Sequence, residues 1–251
     1  MSPVPRPPAR PRRAALALVL ALSGGGCADP GQSPYEIRPR ASFRPIAADP
    51  PDGGTDFPID QPITIHFDDP PDPRTVAGLR VDVTSGMTRW FGQLHVDLFE
   101  KTVTYRLYEN LRPNTGYRLA LDQALGGLGG GKLGQPWVLR FRSGSGVVGA
   151  RPIPPAPAFA EILPLVLERC AGCHKRAPLD LSTEPALRAS LVGVASSARP
   201  EVLRVECGDH ARSFVVWQLL GLPIAGPARP HGGASREEAS LFARWIDGGC
   251  R

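Results

Sequence analysis

Apolar and polar residues alternate with a period of two in six short segments of the chain. Ile63, Ile65 and Phe67 share one face, with Thr64 and His66 on the other. The same alternation recurs at Leu79, Val81 and Val83, at Leu94, Val96 and Leu98, and at Val103, Tyr105 and Leu107. Tyr117, Leu119 and Leu121 follow, and Trp137, Leu139 and Phe141 close the set. A period of two marks strands with one buried face. Turn-forming clusters separate the segments: Asp68 to Pro73, Ser85-Gly86, and Arg112 to Gly116. With an opening segment near Arg44–Ala47, the pattern predicts seven short strands over residues 44–145, the size of a two-sheet sandwich.

The period changes after a Pro-rich linker at residues 146–157. Residues 158–251 read as mainly helical. Phe159 to Arg169 is a helix candidate in which Pro164 must kink the helix or shift its start. Ser235 to Gly248 carries stronger markers. Ser235 stands three residues before Glu238, the spacing of a capping box. Leu241, Phe242 and Trp245 supply an apolar face, and Gly248 ends it.

The first 26 residues have another character. Arg6, Arg10, Arg12 and Arg13 precede a short apolar run at residues 14–22, and small residues follow to Cys27. This is the layout of an export signal. The run is too short to remain in the membrane as a helix. A cysteine after three small residues resembles the lipobox of bacterial lipoproteins, with Gly24 where that family has an aliphatic residue. The resemblance implies a signal over 1–26, lipidation of Cys27, a tether over 27–43 and anchoring to a membrane. Ala28 then favours the outer membrane. The alternative is ordinary secretion, with Cys27 in a tail.

Export changes the reading of charge. The whole chain is +5. Its four signal arginines removed, 25 basic residues face 24 acidic ones. A near-neutral mature chain has no electrostatic footprint for nucleic acid, which excludes that class of partner. Gly 28 and Pro 29 fall just short of a low-complexity composition, which suits folded units joined by linkers.

Two stretches sharpen the fold of the first unit. Leu111-Arg112-Pro113-Asn114-Thr115-Gly116-Tyr117 resembles the tyrosine corner of immunoglobulin-like domains. Residues 62–76 (PITIHFDDPPDPRTV) resemble the opening of bacterial Ig-like domains in surface-layer and other envelope proteins. The implied fold over 44–145 is an all-β Ig-like sandwich, which says little about function.

The chemistry lies at Cys170-Ala171-Gly172-Cys173-His174. C-x-x-C-H is the attachment signature of c-type haem. Two thiols three positions apart reach the two vinyl groups on one porphyrin edge, and the adjacent histidine ligates the iron. The surrounding residues 158–251 resemble the c-type cytochrome domains of planctomycete envelope proteins. The matching stretches are residues 207–213 (CGDHARS), 229–233 (RPHGG) and 243–249 (ARWIDGG). The resemblance implies a mainly α class I cytochrome c-like domain with one covalently attached haem c. It implies single-electron transfer to redox partner proteins in the envelope, and carriage of electrons rather than catalysis.

The sixth iron ligand stays open. Where the family has methionine this chain has Arg229, and its methionines are Met1 and Met87. His231 on the same loop is the candidate distal ligand, and His210 is a weaker one. An open iron site is the third option and would suit a haem peroxidase or gas sensor. The reading from another class is a haem-free envelope module.

The remaining cysteines, Cys207 and Cys250, are expected to pair as a disulfide in an oxidising compartment. Such a bond would brace a small domain whose core is mostly cofactor. Intermolecular pairing through Cys250 is the alternative. Other signals are discounted. Gly126 to Gly134 contains G-x-x-x-x-G-K, but Leu133 follows where a P-loop needs Ser or Thr. A flexible hairpin loop is expected there. Asp68, Asp69 and Asp72 read as a turn rather than a calcium site. His66 and His95 are expected to be exposed on polar strand faces. Trp90-Phe91 is expected to pack in the core.

Overall fold

The computed structural model of the chain describes residues 40–76, 81–149, 155–171, 174–176, 179–222 and 234–251. The expected signal, Cys27 and nearly all of the tether lie outside them, as do Leu79, Cys173 and His231. Among the described residues no helix is long and apolar enough to cross a membrane.

Among the described residues, nine strands form the first unit. They are β1 (Pro45–Asp49), β2 (Gly54–Phe57), β3 (Ile63–Phe67), β4 (Val81–Ser85), β5 (Thr88–Trp90), β6 (Gly92–Asp97), β7 (Thr102–Leu107), β8 (Gly116–Leu121) and β9 (Trp137–Ser143). One sheet has the order β1-β3-β7-β6 and the other β2-β9-β8-β4-β5. All pairings are antiparallel except β2 with β9. A single helical turn, α1 (Pro73–Val76), follows β3. The alternating apolar residues point between the sheets. Ile63, Ile65, Phe67, Val103, Leu119 and Leu139 are each at most 1% exposed. Burial of each such side chain contributes roughly 1.5–3 kcal/mol.

β2 and β5 extend the seven expected strands to nine. Trp90 is buried against Tyr117, but Phe91 is 65% exposed, which corrects the core placement expected for it. His66 is half-buried and His95 exposed. Residues 126–134 join β8 to β9 as a packed loop rather than a loose one. Leu125 and Leu128 are buried, and Gly129 donates its N–H to the buried Asp69 carboxylate at 2.7 Å. A Cβ on Gly127 would lie 2.6 Å from the Phe43 ring, so the close approach requires glycine. The three carboxylates of the Asp68–Asp72 turn are engaged. Asp68 and Asp69 accept backbone N–H bonds from Arg44 and Gly129, and Asp72 pairs with Arg74 at 2.6 Å.

The second unit contains α2 (Phe159–Arg169), a short hairpin of β10 (Lys175–Arg176) and β11 (Leu179–Asp180), α3 (Glu184–Leu191), a 3-10 turn at His210–Arg212, α4 (Phe214–Leu219) and α5 (Arg236–Asp247). α2 runs through Pro164 without a break. α5 begins on the capping box read from the sequence. Glu238 N–H donates to Ser235 Oγ at 3.2 Å, and Ser235 N–H donates to the Glu238 carboxylate at 2.6 Å.

Buried side chains form a core within this unit. Trp217, Trp245, Phe242, Leu187, Val205 and Leu220 are at most 2% exposed. Trp217 Nε1–H donates to the Ala211 carbonyl at 2.6 Å, which satisfies the indole inside the core. The expected Cys207–Cys250 disulfide is present, with Cα atoms 5.5 Å apart. Arg188 of α3 stacks 4.1 Å from the Phe159 ring and donates to the Cys250 carbonyl at 2.9 Å, tying α2, α3 and the C-terminus together.

The two units touch where the turn after β6 meets the start of α5, and where α1 meets the 3-10 turn. Arg236 donates to the Phe99 carbonyl at 2.9 Å and to Glu100 at 3.2 Å. Phe99 also lies against the ring of His210, with centroids 5.7 Å apart.

Candidate functional site

Cys170 is the C-cap of α2, and its N–H donates to the Val166 carbonyl at 2.8 Å. The chain then turns tightly. His174 N–H donates to the Cys170 carbonyl at 3.1 Å, and the His174 carbonyl accepts from Leu181 N–H at 2.9 Å. These bonds hold the first and last residues of the C-x-x-C-H segment one turn apart. His174 is half-buried.

The Cys170 side chain borders an apolar pocket of about 20 Å³. Leu165 and Val166 of α2, Leu191 of α3, Val215 and Leu219 of α4, Phe242 of α5, and Leu181 line it, with Arg169 at its edge. Burial among these groups pushes the Cys170 thiol up to about 11, against a smaller opposite effect of Arg169. The thiol is therefore neutral at physiological pH.

Of the C-x-x-C-H segment, Cys170 meets this wall of aliphatic and aromatic side chains, and His174 does not line it. The volume is much smaller than the roughly 300 Å³ or more that a ligand of moderate size fills. Accommodating a macrocycle there requires α2, α3 and α4 to part.

His210 does not line this pocket. Its ring is 2% exposed and is held elsewhere. Nδ1 lies 2.8 Å from one oxygen of Asp247 and 3.0 Å from the other, and the His210 backbone N–H also donates to Asp247 at 3.0 Å. Burial opposes the imidazolium, but the Asp247 bond and charge, with Asp97 and Asp209 nearby, outweigh it and raise the pKa. Burial likewise pushes Asp247 up, and the His210 contacts bring it below its ordinary value. His95 of β6 stands edge-on to the same ring, with centroids 5.8 Å apart. The structure thus brings together three residues that sequence reading had left separate. No local signal marks this cluster, because its members lie on β6, the 3-10 turn and α5.

Residues 42–143 match the family model of the bacterial Ig-like domain, whose members are typically extracellular or surface-exposed. The match ends before α2. No curated protein matches the chain. Among solved structures, the N-terminal part of the bacterial S-layer protein SbsC is similar at 14% identity and a TM-score of 0.33, over 41% of this chain and 24% of that one. The likeness therefore spans about a quarter of that S-layer chain. PcoC, a methionine-rich copper resistance protein from Escherichia coli, is similar at 16% identity and a TM-score of 0.33, over 41% of this chain and 99% of that one. CopC from Methylosinus trichosporium OB3b is similar at 12% identity and a TM-score of 0.31, over 43% of this chain and 99% of that one.

Proposed function

We propose that the chain is an exported envelope protein, anchored through Cys27 and favouring the outer membrane, that carries single electrons on one c-type haem. The Ig-like unit serves as spacer or docking module, and residues 158–251 serve as a class I cytochrome c-like domain. The observation that carries this reading is the C-x-x-C-H segment at the end of α2, with the Cys170 thiol on an apolar wall. A c-type haem, when bound, supplies reversible one-electron iron chemistry.

The chain's own residues then divide the work. Cys170 and Cys173 would fasten a porphyrin edge through thioethers, and His174 would ligate the iron. His231 is the candidate distal ligand. Leu165, Val166, Leu181 and Phe242 would keep water from the group, and a dry surround would tune its potential. The Cys207–Cys250 bond ties the end of α5 to the segment before the 3-10 turn. His210 has no part in this reading, because it does not line the Cys170 pocket.

A haem-free envelope module is the second reading, favoured by the protein core that already fills the helical unit. One experiment separates the two. The chain is expressed with the c-type maturation machinery and run on a denaturing gel stained for haem peroxidase activity. The electron-carrier reading expects a stained band that survives denaturation and is lost in the Cys170→Ala, Cys173→Ala double variant. An unstained wild-type band supports the haem-free module.

A further inference from the structure

We propose that His95 and His210, the latter oriented by Asp247, hold a divalent transition-metal ion that joins the two units of the chain. Each residue offers one ligand atom, and these atoms lie within 4.8 Å of one another. The three come from both sides of the junction: His95 from the outer strand of the four-stranded sheet, His210 from the 3-10 turn, and Asp247 from the last residue of α5.

The second observation concerns one atom. His210 Nε2 is buried with no hydrogen-bond partner. An orphaned buried nitrogen is costly and needs a reason. The other ring nitrogen already has its partner, the Asp247 carboxylate at 2.8 Å. A carboxylate that takes the Nδ1 proton leaves Nε2 with its lone pair free for a cation, the arrangement that orients histidine ligands in metal centres.

The donors select the class of ion. Two imidazoles suit zinc, copper or nickel, whereas calcium and magnesium take oxygen ligands. Metal–nitrogen bonds of about 2.0–2.1 Å require the ligands to close in slightly. His95 is exposed and can make that movement, whereas His210 is fixed. Asp97, two residues from His95 on the same face of β6, and Asp209, beside His210, add negative charge around the ion. The cation takes the place of the proton at Nε2. The site shares no residue with the Cys170–His174 segment and does not depend on haem.

Zn²⁺ is the probe. The full exported chain, purified without a polyhistidine tag, is dialysed to equilibrium against zinc, and bound metal is counted per chain. The same is done for His95→Ala, whose exposed position spares the core, and for Asp247→Asn. The proposal expects wild type to hold one more zinc than His95→Ala, and Asp247→Asn to bind at least tenfold more weakly than wild type. Zinc held by thiols is common to all three chains and cancels. Zinc should also raise the melting temperature of wild type more than that of His95→Ala. Equal zinc in wild type and His95→Ala, or no zinc in wild type, overturns the proposal.

Discussion

The phenol oxygen of Tyr117 accepts the backbone N–H of Arg112 at 2.7 Å, closing the corner before β8. Ser143 Oγ braces the same corner by donating to the Arg112 carbonyl at 2.6 Å. The Tyr117 ring packs edge-on to Trp90 and stacks with Phe141, so Tyr117→Phe keeps the packing and removes the bond. Losing this part-buried bond should cost about 0.5–1.5 kcal/mol. Urea denaturation is expected to show a lower midpoint with an unchanged slope.

The Cys207–Cys250 bond closes a loop with a sequence separation of 43. Restricting such a loop in the unfolded chain is worth roughly 4 kcal/mol in the chain-entropy model. The Cys207→Ser, Cys250→Ser double variant should lose up to that much. The loss should appear in melting of the helical unit, while the Ig-like unit keeps its own transition.

Gly127 and Gly116 form a matched pair of tests. A Cβ on Gly127 would lie 2.6 Å from the Phe43 ring and 2.7 Å from the Asp69 carboxylate, whereas one on Gly116 meets nothing within 4 Å. Gly127→Ala should destabilise by about 1–3 kcal/mol, the range for overpacking a filled site. Gly116→Ala should leave the denaturation midpoint nearly unchanged.

The strands of the sandwich were legible where alternation ran long enough to define a face. β2 and β5 were not. Gly54–Phe57 buries only Phe57 and exists through its parallel pairing with β9, at Gly54 with Phe141 and Phe57 with Ser143. Thr88–Trp90 is three residues long and is held by β4. α5 was legible because Ser235, Glu238 and Gly248 mark its ends locally. The packed state of residues 126–134 was not, since their partners Phe43 and Asp69 are distant in sequence. His210 shows the same limit. Its sequence context pointed to the haem segment, and its fold partners are Asp247 and two residues of the other unit.

The Cys170 thiol, pushed up to about 11 by burial, gives a pH dependence for the chain without attached haem. The thiol of an unfolded cysteine ionises near 8.5. Between these values the unfolded chain loses its proton first, so stability falls as pH rises from about 8.5 towards 11. Alkylation of Cys170, followed by peptide mapping, should be slow near neutral pH and accelerate through the same range. Rapid labelling at neutral pH would show a thiol that is not shielded.

The central claim is that the segment ending α2 holds a haem whose iron His174 ligates. An optical spectrum tests it most directly, on the full exported chain matured with the c-type machinery, first oxidised and then reduced with dithionite. The account predicts a Soret band with sharp low-spin bands on reduction, a high-spin spectrum in His231→Ala, and loss of the native spectrum in His174→Ala. A matured chain with no haem absorbance in either redox state would contradict it.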